Sequence, residues 1–293
     1  MPKSRKIHSV HLSKPTLEGA GVRMRRAFGY NEVPTYDPFL MLDDFRSDNP
    51  EEYVEGFPWH PHRGIETITY MLNGTVEHGD SLGNKGMILA GDVQWMTAGS
   101  GIIHQEMPHG DEFGRMGGFQ LWANLPASSK MMAPRYRDVR SEQIPVVKLP
   151  GGVEVRVIAG KVDGTVGPVR DVVIEPEYLD VTIPQGAEFS HPVPEGYTIF
   201  AYVIEGLGVF GSNRVEALNN SLVLFEDGDL VEVRAENEPV RFLLISGKPI
   251  GEPVAWYGPI VMNTNEELQI ALNEYRNGTF IKSNPDNDLP QKD

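Results

Sequence analysis

The chain has 293 residues, 40% of them hydrophobic, with 31 glycines, 23 prolines and no cysteine. This composition supports a folded core with many turns between short strands, and it excludes disulfides, thiolate metal sites and cysteine nucleophiles. With 26 Lys+Arg against 41 Asp+Glu the formal net charge is -15, which disfavours binding of nucleic acid or anionic lipid across the surface at large. The N-terminal MPKSRKIHSVHLSK is basic but has no apolar core after it, and no run approaches about 18 apolar residues, so a cytoplasmic protein is expected. In chain order, runs rich in β-branched and aromatic residues predict strands at 67–72, 153–159, 199–204, 222–225 and 240–246. A polar, proline-punctuated stretch over 125–148 is the candidate linker. One helix is expected near 265–277: Thr264 and Glu267 form a capping box, Leu268, Ala271, Leu272 and Tyr275 make an apolar stripe, and Gly278 is the stop. The closing SNPDNDLPQKD reads as a frayed end. The whole predicts an all-β sandwich or barrel with one helix.

The two halves resemble each other weakly. Tyr70-Met71-Leu72-Asn73-Gly74 matches Tyr202-Val203-Ile204-Glu205-Gly206, and Gly91-Asp92-Val93 matches Gly228-Asp229-Leu230. A duplicated β-domain accounts for both matches, at a period far longer than that of solenoid repeats.

Five of the eight histidines lie between positions 60 and 109. His60 and His62 are two apart, so on a strand both imidazoles point to one face, and His104 and Glu106 repeat that spacing. If the two strands are neighbours inside a barrel, three imidazoles and a carboxylate converge. That donor set suits iron, nickel, copper, manganese or zinc, and it leaves open positions on a six-coordinate ion, as a catalytic centre requires. Glu66 shares the parity of His60 and His62, but Gly64 between them marks a place where the strand can bulge. Glu66 is therefore expected to support or line the site rather than ligate. The other histidines have plainer expectations: His8 and His11 solvated, His78 and His109 in loops, and His191, before Pro192, poorly placed for lining a barrel. Carried across the two matches, His60, His62 and Glu66 fall on Pro192, Pro194 and Thr198, and His104 and Glu106 fall on Arg241 and Leu243. Those residues cannot rebuild the site, so one metal per chain is expected.

The stretch HPHRGIETITYMLNG from His60, followed by GDVQWMTAGSGIIHQEMP from Gly91, resembles the pirin family, a branch of the two-domain cupins. The likeness extends through DPFLMLDDF from Asp37, GGFQLWANLP from Gly117 and EPVAWYGPIVMNT from Glu252. It implies two tandem cupin (double-stranded β-helix, jelly-roll) barrels with a short C-terminal helix. Residues 1–135 would form the metal-binding domain, and 136–293 a metal-free domain carrying the helix. It places the metal ligands on His60, His62, His104 and Glu106, with Fe(II) the expected ion and other first-row divalent ions as alternatives. The usual cupin ligates through the carboxylate at the Glu66 position; the pirin pattern uses Glu106.

The resemblance implies two classes of role. The first is a quercetin 2,3-dioxygenase that cleaves the central ring of a flavonol and releases carbon monoxide. Glu106 would complete the ion's shell or act as catalytic base, and Phe57, Trp59, Phe119 or Trp122 would line the entrance. Another ortho-oxygenated aromatic could stand in the flavonol's place. The second is a non-enzymatic, iron-dependent regulator acting on protein partners in the manner of a transcription cofactor, with Arg23, Met24, Arg25 and Arg26 as a candidate cationic patch. A monomer is expected, since tandem barrels can cover each other's faces.

Overall fold

The structure is a computed structural model, and it describes residues 2–282. The expected frayed end lies outside the described residues. Two compact units emerge, and neither is contiguous in sequence. Among the described residues, one comprises 15–25, 39–141 and 251–282; the other comprises 2–14, 26–38 and 142–250. The single division expected at 135/136 is corrected accordingly. The reason is strand exchange along the chain: Ile7–Leu12 pairs antiparallel with Ser221–Phe225, and the C-terminal helix packs in the unit that carries the His motifs.

In the His-bearing unit one sheet runs through Arg135–Val139, Val93–Thr97, Ile65–Asn73, Gly117–Asn124 and Phe39–Asp44. A second sheet has the order Phe57–His62, Ile102–His109, Thr75–Asp80, Lys85–Ile88. The long strand Ile65–Asn73 is buried along most of its length, as a central strand rich in β-branched residues should be. Gly64 makes the turn into it with φ +78; a Cβ there would lie 1.9 Å from the Val261 carbonyl oxygen, so no side chain fits. The supposed linker is mostly built into this unit, because Arg135–Val139 is a paired strand and Lys130 is buried.

In the other unit Ser221–Phe225, Thr198–Phe210, Val240–Gly247, Glu177–Ile183 and Glu154–Ala159 follow one another across a sheet, and Glu188–Pro192 pairs with Leu230–Arg234. Its inward positions are apolar: Leu179, Val181, Phe189, Val203, Phe210, Val231, Val233, Phe242 and Leu244 form one buried cluster. At roughly 1.5–3 kcal/mol for each buried large apolar side chain, this cluster is the main favourable contribution to the unit.

The α-helix Asn265–Arg276 is capped as the sequence predicts. Thr264 Oγ1 accepts from Glu267 N at 3.2 Å, and Glu267 accepts in return from Thr264 N at 3.0 Å. At the other end Gly278 takes φ +73, with Gly278 N donating to Tyr275 O and Thr279 N to Glu274 O, a Schellman closure. Leu268 and Ala271 pack on the hairpin Ala255–Tyr257/Ile260–Met262 together with Phe280. Among the described residues no helix is long and apolar enough to cross a membrane.

Candidate metal centre

The strands Phe57–His62 and Ile102–His109 are antiparallel neighbours, with His104 directly opposite His60 and Ile102 opposite His62. Residues opposite each other share a face, so the pairing brings His60, His62 and His104 to one side of the sheet. Each offers a ring nitrogen, and the three ligand atoms lie within 4.8 Å of one another. The ring centroids are 4.4 Å (His60–His104), 4.9 Å (His60–His62) and 5.0 Å (His62–His104) apart. The convergence predicted from two period-2 motifs is thus realised for the three imidazoles.

The donor set fits a metal on several observations. His60 Nδ1 lies 2.8 Å from the Pro58 carbonyl oxygen, which can only accept, so Nδ1 carries the proton and Nε2 presents its lone pair. His60 Nε2 and His62 Nε2 are 3.0 Å apart, the spacing of two nitrogens each about 2.1 Å from one ion at a right angle. His104 is 1% exposed, yet among the described residues neither of its ring nitrogens has a hydrogen-bond partner. A buried imidazole left so is costly unless something coordinates it. Burial lowers the pKa of His60, and it drives those of His62 and His104 well below the usual range, with neighbouring imidazoles adding to the effect. All three are neutral near pH 7, the state that ligates.

Glu106 lies two residues beyond His104, past an irregularity in the pairing, opposite Phe57 and His78. It stands outside the trio of close ligand atoms. Burial pushes its carboxyl up to about 7, opposed by the Thr69 hydroxyl, which donates to Oε1 at 3.5 Å. Thr69 Oγ1 also lies 2.7 Å from Gln120 Oε1.

Glu66 is oriented elsewhere. The turn at Gly64 breaks the parity with His60 and His62, and Glu66 sits opposite Ala123 and Thr97 on the face away from Thr67 and Trp122. It is fully buried, accepting from Trp95 Nε1 at 3.0 Å and Thr97 Oγ1 at 2.7 Å. Burial raises its pKa, while those two bonds, Arg135 and Arg137 pull it down.

Two of the plainer histidine expectations are corrected. His78 is no loop residue: it lies in Thr75–Asp80, 4% exposed, with Nε2 2.9 Å from Gln94 Nε2 and its ring stacked on Tyr136 at 5.8 Å. The turn begins after it, at Ser81. Gln94 in turn donates to Asp138 Oδ1 at 2.9 Å. This polar interior beside the trio was legible only as His78-x-Asp80, the same spacing as His104-x-Glu106. His191 is likewise buried, with its ring stacked on Phe189 and Nε2 3.0 Å from the Glu177 carboxylate. His8 and His11 are exposed, as expected; His109, expected in a loop, is largely exposed but is the last residue of Ile102–His109, opposite Thr75.

Of the four aromatic candidates, Trp122 meets His62 edge to face at 5.1 Å and Phe57 lies 6.5 Å from His60. Phe119, one strand position out of phase with Trp122, is buried under the Arg46 guanidinium, and Trp59 is 52% exposed. The Arg23-to-Arg26 stretch is no continuous cationic face. Met24 turns into the core, Arg23 is exposed, and Arg25 and Arg26 are half-buried.

The pairing also corrects the match between halves. Val93–Thr97 pairs with the long strand Ile65–Asn73, whereas Leu230–Arg234 pairs with Glu188–Pro192, so Gly91 and Gly228 introduce different strands. The register equivalent to His62–Ile102 and His60–His104 is His191–Val231 and Phe189–Val233.

The pirin family model matches residues 21–123, and the model of the pirin C-terminal cupin domain matches 178–281. A Pseudomonas aeruginosa protein that carries a provisional quercetin 2,3-dioxygenase name is 46% identical over 286 residues, 96% of this chain and 99% of its own length. The pirin of Mus musculus is 42% identical over 285 residues, 94% of each chain. A crystal structure of quercetin 2,3-dioxygenase from Acinetobacter baumannii shares the fold with a TM-score of 0.87 at 33% identity, covering 95% of this chain and 99% of that one. With its two cupin domains, the chain belongs to the pirin family.

Proposed function

We propose that the protein is a metal-dependent dioxygenase that opens the central ring of a flavonol, quercetin being the reference substrate. The observation that supports this most is the trio of neutral imidazoles, His62 and His104 buried and His60 half-buried, in which neither His104 nitrogen has a partner among the described residues. His60, His62 and His104 would hold a single divalent ion, Fe(II) first among the first-row ions, and Glu106 would complete its shell. Bound there, the ion would supply Lewis acidity to the flavonol's adjacent oxygens and redox access to dioxygen. The names of the relatives point the same way: a provisional quercetin 2,3-dioxygenase at 46% identity and a quercetin 2,3-dioxygenase structure at 33%.

The chain's own residues would bind, orient and move a proton. Glu106 would either complete the ion's shell or, detached from it, accept the 3-hydroxyl proton, with the Thr69 hydroxyl beside its Oε1. Trp122, edge-on to His62, offers a flat apolar wall. In the overall reaction both oxygen atoms enter an ester (depside) product, and one ring carbon leaves as carbon monoxide.

The test joins metal analysis to turnover. Loaded with iron and supplied with air, the protein should hold close to one ion per chain and convert quercetin with release of carbon monoxide. His104→Ala should lose both. Turnover unchanged in that variant overturns the site, and no turnover with any first-row ion at full loading overturns the reaction.

A further inference from the structure

Trp256 is far from His62 in sequence and outside both histidine motifs, yet the fold delivers it to the same neighbourhood. The C-terminal hairpin that carries it is pinned to the residues flanking His62. Arg63, the next residue, bridges Ile260 in parallel, and Val261 N donates to the Arg63 carbonyl oxygen at 3.0 Å. The buried Lys130 ammonium ties the two segments again, donating to Gly64 O at 2.9 Å and Val261 O at 3.1 Å. The close approach of Gly64 to Val261 leaves no room for a side chain between them. Farther along, the Arg63 guanidinium reaches Glu274 Oε2 and Phe280 O, both at 2.8 Å, and lies 4.2 Å over the Phe280 ring. The hairpin is therefore fixed relative to the ligand strand, and so is what it carries.

What it carries is the second member of an aromatic row. His62 meets Trp122 at 5.1 Å and 88°, and Trp122 meets Trp256 at 5.9 Å and 40°. Trp256 is half-buried, and its Nε1 donates to Gly258 O at 2.6 Å inside its own turn. An indole has a single N–H. With that donor used locally, the ring contributes π surface rather than a hydrogen bond to whatever adjoins it. Flat conjugated molecules gain from offset or edge contact with such a surface, and puckered ones gain less.

We infer that Trp256, together with Trp122, forms a two-indole wall beside the His62 side of the centre and sets its preference for planar, conjugated aromatic substrates. The flavonol class of that substrate rests on the dioxygenase reading above; the wall itself rests on the packing. Specificity would then be supplied by the C-terminal hairpin and not only by the strands that carry the histidines.

The experiment measures binding without turnover. The Fe(II)-loaded protein is titrated anaerobically by calorimetry with quercetin and with its 2,3-dihydro analogue, whose saturated central ring is puckered. Trp256→Ala should weaken quercetin by roughly fivefold and the dihydro analogue far less, so the planar preference collapses, while metal content and the circular dichroism spectrum stay as in the wild type. Trp256→Phe should keep most of the preference. Should the alanine variant fail to fold, Trp256→Leu, which retains apolar bulk without a ring, reads the same ratio. A planar preference unchanged in Trp256→Ala or Trp256→Leu, in a protein that still turns quercetin over, overturns the role of Trp256 alone. A preference lost in those variants, when the iron-loaded wild type never turns quercetin over, supports the wall and overturns the dioxygenase reading alone.

Discussion

The strand pair bearing His60, His62 and His104 has a counterpart in the other unit, and the two interiors differ in kind. Where one faces inward with three imidazoles, the other presents Phe189, His191, Val231 and Val233, continuous with Phe210 and Phe242. Its one inward imidazole is satisfied by Glu177 at 3.0 Å. The apolar interior completes itself by packing; the polar one leaves both His104 ring nitrogens without a partner among the described residues. The same pairing pattern thus carries an apolar core in one unit and a cluster of three imidazoles in the other, because a scaffold fixes positions and side chains fix chemistry. Each unit also buries a cation against backbone carbonyls, and here the chemistry differs as well. Arg5 donates to Pro194, Tyr197, Glu226 and Gly228 oxygens, whereas Lys130 donates to Gly64, Asn124 and Val261.

The sharpest way to break this contrast is His104→Ala, which should lower metal affinity at least about 100-fold, more than typical for the partners that merely orient ligands. Elemental analysis after dialysis checks it; an ion retained at the wild-type level would mean that the trio does not hold it. Phe242→Ala, in the self-completed interior, should cost about 3–5 kcal/mol of stability, read from denaturant midpoints, and leave metal content untouched. A third experiment separates the two buried cations by pH. Burial lowers the Lys130 ammonium to about 8, against about 10.4 for an unfolded lysine. Between those values the unfolded chain binds the proton that the folded chain has shed, so stability rises with pH across that window, by up to about 3 kcal/mol, and levels off below 8, where both states hold the proton. The difference in unfolding free energy between wild type and Lys130→Met should therefore grow in favour of the wild type from pH 8 to pH 10; a flat difference would count against a displaced lysine. Arg5 stays charged over the whole window and should give no such trend. The smallest effect is the most diagnostic of the vacant imidazole. His104→Leu in the metal-free protein should raise stability by roughly 1 kcal/mol while abolishing any stabilisation by added Fe(II), as thermal melts would show.

Much of this molecule was legible wherever a local rule governed. The helix cap, its glycine stop and the period-2 histidines depend on residues a few positions apart, and all took the expected form. Legibility ended where long-range pairing decided. His78 looked like a turn residue because Gly79 and Asp80 follow it, but the ladder with Ile102–His109 holds all three in a strand. Glu66 shared parity with His60 and His62 only on paper, since one left-handed glycine resets the alternation. His191 sat beside a proline, yet Pro192 ends its strand and leaves the imidazole facing inward against Phe189. Trp256 had no local mark at all; its place follows from the bridge between Arg63 and Ile260, which no short window contains.

The interleaving of the two units has a bearing on how the chain is born. Strand Ile7–Leu12 is made long before its partner and cannot complete its pairing until Ser221–Phe225 has been made. The histidine strands likewise wait for the segment whose Ile260, Glu274 and Phe280 hold Arg63 in place. Neither half can be excised as a single uninterrupted stretch of coding sequence without tearing a partner away. Such delayed closure makes for slow maturation.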